Sequence, residues 1–178
     1  MSKALLVIDM LNDFCTPQGV LARDGEGKVY AEPIIPFVAR KVREALQEGW
    51  RVIFICDSHD ENDIEFNRFP KHCVTGSEGA QVIEELPAPE EYRGQVHYVT
   101  KQRYSGFYNT RLEELLTGVE EVHVVGVCTN ICVLYTVEEL CNRDIKTVVY
   151  RDGVASFDPE AHRFALVQME SVLGAEIR

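Results

Sequence analysis

"VHVVGVCTNICVLYTVEEL" (122–140) changes its apolar period partway along. Residues 122–127 are apolar or β-branched at nearly every position, the pattern of a strand buried on both faces of a parallel sheet. Turn-like polar residues follow. From Ile131 onward the apolar spacing is that of an amphipathic helix, with Thr129 or Asn130 as its natural N-cap. One such strand-to-helix passage is half of a βαβ unit, so the question becomes how often it recurs.

It recurs along the whole chain. Apolar runs stand at 4–10, 51–57, 97–101, 122–127 and 146–150, with a short last one at 175–177. Helical patterns separate them. Residues 34–49 put Ile34, Phe37, Val38, Val42, Ala45 and Leu46 on one face and end at Gly49, a C-cap signal. Residues 130–144 and 158–174 read the same way, the latter with Asp158 as N-cap before Pro159. Shorter helices are expected near 78–86 and 109–117. No repeat or linker divides the 178 residues, so one domain spanning 1–178 is expected. The alternation predicts a doubly wound, Rossmann-like α/β fold with helices on both faces of a parallel sheet. Trp50 is expected to close the sheet edge.

Composition narrows the partners. The apolar fraction of 46% is that of a globular protein, and a net charge of −11 argues against nucleic acid or an anionic membrane. No segment approaches the length of a membrane span, and the N-terminal apolar run is short and interrupted by Asp9. The six cysteines show no CxxC pair, so reduced thiols in a cytoplasm are the expectation, most of them small core residues.

Folds of this class place chemistry beyond the carboxyl ends of the strands. Asp9 ends the first run, Asp57 and His59 the second, and Lys101 the third; the segment 126–132 follows the fourth. A single polar residue at a strand end is ordinarily a cap or a turn. An acid, an amine and a thiol at successive ends form an acid–base–nucleophile set suited to acyl transfer. Cys132 would sit inside a helix start, where free amides and the dipole favour the thiolate and could hold a developing oxyanion. A second set lies in the irregular segment 57–80: Asp57, His59, Glu65 and His72. Two imidazoles and one or two carboxylates could hold Zn²⁺ or another divalent ion, although no short metal motif is satisfied. Asp60, Glu61 and Asp63 read as solvated loop charges, His97 and His123 as structural, and His162 has no assigned role.

"LLVIDMLNDF", "KQRYSGFYNT" and "VVGVCTNICVLYT" resemble, in family order, the three motifs of the isochorismatase-like cysteine hydrolases, and the match is nearest to nicotinamidases. The resemblance runs from about Lys3 to Ala175. It implies a six-stranded parallel sheet of order 3-2-1-4-5-6 and a catalytic triad of Asp9, Lys101 and Cys132. It also implies a non-proline cis peptide before Cys128 that aims the Cys128 amide, with that of Cys132, into an oxyanion hole. "DSH" followed by "FPKHCVTGSEGA" is similar to the nicotinamidase metal loop. Its ligands fall on Asp57, His59 and His72, with Glu65 added in a subset; Zn²⁺ is the first expectation, then Mn²⁺ or Fe²⁺, and no organic cofactor. Phe14, Phe69 and Tyr104 match aromatic walls around a flat substrate ring. The implied function is hydrolysis of nicotinamide to nicotinate and ammonia through a cysteine thioester, a step of pyridine nucleotide salvage. The implied partner is a small-molecule amide, and homo-oligomerisation is left open. Asn130 stands where the family often has Asp, which removes a negative charge near the thiol while keeping a good cap. The rival readings are another C–N hydrolase of the superfamily acting on a ureido or carbamoyl compound, and a non-enzymatic thiol sensor or ligand-binding module using Cys128 and Cys132.

Overall fold

Valine, isoleucine and leucine crowd the extended runs, and each run finds a parallel neighbour. The computed structural model describes residues 2–86 and 88–178. In it, β1 (Lys3–Ile8), β2 (Arg51–Asp57), β3 (Val96–Lys101), β4 (Glu121–Val127), β5 (Lys146–Ala155) and β6 (Glu176–Ile177) form one sheet. Every pairing is parallel, and the order is β3-β2-β1-β4-β5-β6. This is the expected doubly wound, single-domain architecture. The winding direction reverses between β1 and β4, so a crevice opens above the ends of those two strands.

Alternate residues of each strand feed two separate cores. Leu5, Val7, Phe54 and Val125 pack with Phe14 and Cys15 of α1 (Asn12–Cys15) and with Val38, Val42, Ala45 and Leu46 of α2 (Ile35–Gln47). Leu6, Ile8, Ile53, Ile55 and Val124 pack on the other face. Their partners are Leu112 of α3 (Leu112–Leu115), Val137 and Leu140 of α4 (Leu134–Asn142), and Leu166 and Met169 of α5 (Pro159–Ser171). Each fully buried Leu or Ile contributes ~1.5–3 kcal/mol, so these two layers dominate the stability of the sheet. Asp158 caps α5 as expected, its carboxylate accepting from the amides of Glu160 and Ala161. Gly126 lets β4 lie close to β1: its φ is +120°, and a Cβ there would fall 2.0 Å from the Ile8 carbonyl oxygen.

Four expectations need correction. The segment 78–86 forms only the 3₁₀ turn Glu78–Ala80, because Val82 bridges to Leu11 and the Ile83 amide bonds to the Met10 carbonyl, which extends the chain. The helix expected from residue 130 opens instead as a π-turn, Thr129–Val133, before α4 begins. Neither Thr129 nor Asn130 caps it; the cap position is Cys128, without a side-chain bond. Trp50 does not close an edge. It precedes interior strand β2, its ring centroid 4.5 Å from that of His123 and 5.0 Å from the Lys3 ammonium, so it covers the lower end of the central strands.

Candidate active site

Four strand ends deliver their polar residues to one point. Asp9 follows β1 with φ +50°, a left-handed conformation that Asp tolerates better than most residues and that turns its side chain out of the strand path. The Asp57 amide, at the end of β2, donates to Asp9 Oδ1 at 2.9 Å. Lys101 ends β3 directly opposite Asp57 in the register. Its Nζ lies 2.9 Å from Asp9 Oδ2 and 3.4 Å from Cys132 Sγ, and it donates to Asp57 Oδ1. Cys132 arrives from the π-turn after β4. All four side chains are buried. The structure therefore brings Asp9, Lys101 and Cys132 together, and adds Asp57 to them.

Burial governs the protonation of this cluster. It raises the Asp9 carboxyl from 3.8 to about 6, with the nearby Asp57 charge adding to the shift and Lys101 opposing it. It also opposes the charges on Lys101 and Asp57, but there the ion pairs win: Asp57 and Asp9 hold the ammonium well above its ordinary range, and Lys101 holds the Asp57 carboxyl below its own. Desolvation drives the Cys132 thiol well above its usual 9, and the Lys101 charge does not offset it. The amides at the start of the turn favour the anion, and burial outweighs them. Burial therefore favours the thiol form of Cys132, and Asp9 is the carboxylate that interacts with it. The neighbouring Val127–Cys128 peptide is cis, and the Cys128 amide makes no hydrogen bond among the described residues.

A cavity of about 310 Å³ opens over Cys132. Phe14, Phe69 and Tyr104 all line it, as do Asp9, Glu65, His72 and the buried phenol of Tyr30. Its walls are otherwise mostly apolar, which suits a flat, weakly polar ligand with one end turned to the thiol.

The second set converges on the same cavity. One ligand atom each from Asp57, His59 and His72 lies within 4.8 Å of the others. The Nε2 atoms of His59 and His72 stand 3.6 and 3.9 Å from Asp57 Oδ2. Both Nδ1 atoms are engaged away from that point, His59 with Asp63 Oδ2 at 3.0 Å and His72 with the Pro70 carbonyl at 2.7 Å. Fixing Nδ1 in this way leaves Nε2 as the coordinating nitrogen. His59 Nε2 and Glu65 Oε2 are buried without a hydrogen-bond partner, and a divalent cation would satisfy both. These donors fit a divalent metal of the zinc type. Glu65 lies at the cavity wall but outside the three-residue cluster.

Asp63 corrects the reading of it as a solvated charge. Its side chain is 3% exposed; it caps the 3₁₀ turn Ile64–Asn67 by accepting from the Glu65 amide, bonds His59, and receives Arg103 Nη1 at 3.0 Å on each oxygen. The available signal was its place four residues after His59 and two before Glu65. His162, without a role from sequence, bonds Thr129 in the turn that carries Cys132. His123 is structural as expected, buried between Glu121 and Tyr150.

The chain is similar over its length to known proteins. The isochorismatase domain model matches residues 3–177. An uncharacterized isochorismatase family protein, PncA of Bacillus subtilis (strain 168), is 36% identical over 185 residues, covering 99% of each sequence. The crystal structure of nicotinamidase/pyrazinamidase PncA from Bacillus subtilis superposes with a TM-score of 0.90 at 34% identity, covering 99% of both chains. A pyrazinamidase of Pyrococcus horikoshii, solved in complex with zinc, superposes with a TM-score of 0.88 at 30% identity, covering 100% of this chain and 99% of that one. With its fold and a family match over nearly its full length, the chain belongs to the isochorismatase family, a family of hydrolases.

Proposed function

We propose that the chain hydrolyses nicotinamide to nicotinate and ammonia through a thioester on Cys132. The observation that carries this reading is the Lys101 ammonium set between Asp9 at 2.9 Å and Cys132 at 3.4 Å, beneath an aromatic-walled cavity. Solved relatives that are nicotinamidases or pyrazinamidases support the substrate class.

In this reaction Asp9 accepts the Cys132 proton, and the sulfur attacks the carboxamide carbon. The oxyanion of the tetrahedral intermediate faces the backbone amides of Cys128 and Cys132. Asp9 returns the proton to the departing nitrogen, ammonia leaves, and a thioester remains. Asp9 then takes a proton from water as its oxygen attacks the thioester. Collapse releases nicotinate, and the proton goes back to sulfur. Lys101 holds the two reacting groups in register and keeps Asp9 ionised. Phe14, Phe69 and Tyr104 stack against the ring. A divalent ion, Zn²⁺ first, held by Asp57, His59 and His72 with Glu65 nearby, would supply a Lewis-acid anchor for the ring nitrogen. The six unpaired cysteines support a reducing, cytoplasmic setting, and the proposed product, nicotinate, would serve pyridine nucleotide salvage.

The direct test is ammonia release from nicotinamide beside ureido and carbamoyl compounds. Turnover of nicotinamide alone is expected; turnover confined to the ureido compound would replace the substrate assignment while keeping the nucleophile.

Two further results are expected. The base must be ionised, so kcat/KM should fall as pH drops through about 6, the raised value of Asp9, and the limb belongs to the coupled cluster. A limb near the ordinary carboxylate value would contradict the burial argument. Asp63→Ala should weaken Zn²⁺ binding by about 10–100-fold in calorimetric titration, because His59 loses the partner that orients it. Unchanged affinity would remove His59 from the ligand set.

A further inference from the structure

The turn that carries Cys132 is held from outside the site. A π-turn has wide, sparse backbone bonds: the Cys128 carbonyl accepts from both Ile131 and Val133, at 3.0 and 3.2 Å. Its two leading side chains are tied to the first turn of α5 and to the residue that follows β5. Thr129 is fully buried, and its Oγ1 shares a hydrogen bond of 2.8 Å with His162 Nδ1. Asn130 Oδ1 accepts from Ser156 Oγ at 2.6 Å. His162 is itself anchored, its amide donating to the carbonyl of the capping residue Asp158 at 2.9 Å. Neither Thr129 nor His162 lines the cavity, so neither touches a substrate there.

We propose that His162 is a positioning residue: through Thr129 it sets the nucleophile turn, and with it the Cys132 sulfur and the Cys128 amide, against Asp9 and Lys101. Ser156 clamps the next residue and leaves the first bond of the turn to His162 alone. The turnover readout of this inference rests on the proposed nicotinamide hydrolysis; the geometry does not.

The test compares two polar replacements of similar bulk. In His162→Asn the amide reaches the place of Nδ1 and can donate or accept, so it can keep the Thr129 bond. In His162→Gln the amide stands where Nε2 was and misses it. Asn is expected to keep kcat for nicotinamide within about threefold of the parent, and Gln to lower it about 10–100-fold, the scale of a small misplacement of reacting groups, with KM unchanged in both. Thr129→Val should match Gln, Thr129→Ser should match Asn, and Thr129→Val combined with His162→Gln should be no worse than either alone. Equal kcat for Asn and Gln, a loss confined to KM, or additive effects would overturn the proposal. A second readout is the alkylation rate of Cys132 by iodoacetamide, followed by peptide mass. It should slow several-fold in Gln and not in Asn, and equal rates would again overturn the proposal. If the parent enzyme releases no ammonia from nicotinamide, the substrate reading fails while the alkylation comparison still decides the role of His162.

Discussion

Cys132→Ala is expected to abolish ammonia release from nicotinamide, by about 10⁴-fold or more, while the protein keeps its fold and its melting temperature within a few degrees. The size follows from the role. The other thiol lining the cavity, Cys128, is paired with the Tyr30 hydroxyl at 3.3 Å, whereas the Cys132 sulfur lies 3.4 Å from the Lys101 ammonium that also holds Asp9. Loss of the sulfur also removes the group whose proton Asp9 carries to ammonia, so both halves of the reaction stop. The fold should survive because the change deletes one buried atom where the second core meets the cavity wall, leaving the rest of that layer in place. A variant retaining even a hundredth of the parent rate would show that the nucleophile is elsewhere.

Lys101→Met is expected to have the second largest effect, and to strike stability as well as rate. The ammonium is buried between Asp9 and Asp57 and balances both. Methionine would fill the space but leave two desolvated carboxylates facing each other, a loss of about 3–5 kcal/mol for a broken buried pair. Asp9 already stands at about 6 with the lysine present. Without it, Asp9 would rise further, hold its proton at neutral pH, and lose its capacity to accept one from sulfur. Activity should fall by about 10³-fold or more. The pH dependence of stability supplies the sign. A carboxyl whose native pKa is raised binds more protons in the folded than in the unfolded state between the two values, so stability falls as pH rises through that window. Denaturant unfolding of the variant should therefore show its deficit against the parent shrinking on acidification from pH 7 toward 5. A deficit that grows instead would mean that the carboxylates are not left charged and unpaired.

Much of this architecture was legible because parallel sheets bury both faces of their strands. The runs at 51–57 and 122–127 are apolar at consecutive positions, and they correspond to β2 and β4 with at most one residue of difference. The convergence of Asp9, Asp57 and Lys101 was also accessible. Parallel strands end on one side, so a polar residue closing an apolar run lands on a common rim. What escaped the sequence depends on partners remote in the chain. Asp63 looks like any loop carboxylate until Arg103, 40 residues later, and His59 close around it. His162 has nothing local to mark it, since its partner is 33 residues away. The π-turn replaced an expected capped helix for a similar reason. Thr129 and Asn130 are good caps, but His162 of α5 and Ser156, just after β5, engage their oxygens instead. The thiol shows the limit of local electrostatics: amides at a helix start favour the anion, and complete burial beside two carboxylates outweighs them.

The measurement that bears most directly on the acyl-enzyme is partition of the reaction by hydroxylamine. If carbon passes through a thioester on Cys132, added hydroxylamine should divert product from nicotinate to nicotinohydroxamate in proportion to its concentration, with Cys132→Ala forming neither. Nicotinate as the sole product at every hydroxylamine concentration, with ammonia still released, would mean that water attacks the amide directly and that the buried sulfur beside Lys101 is not the nucleophile.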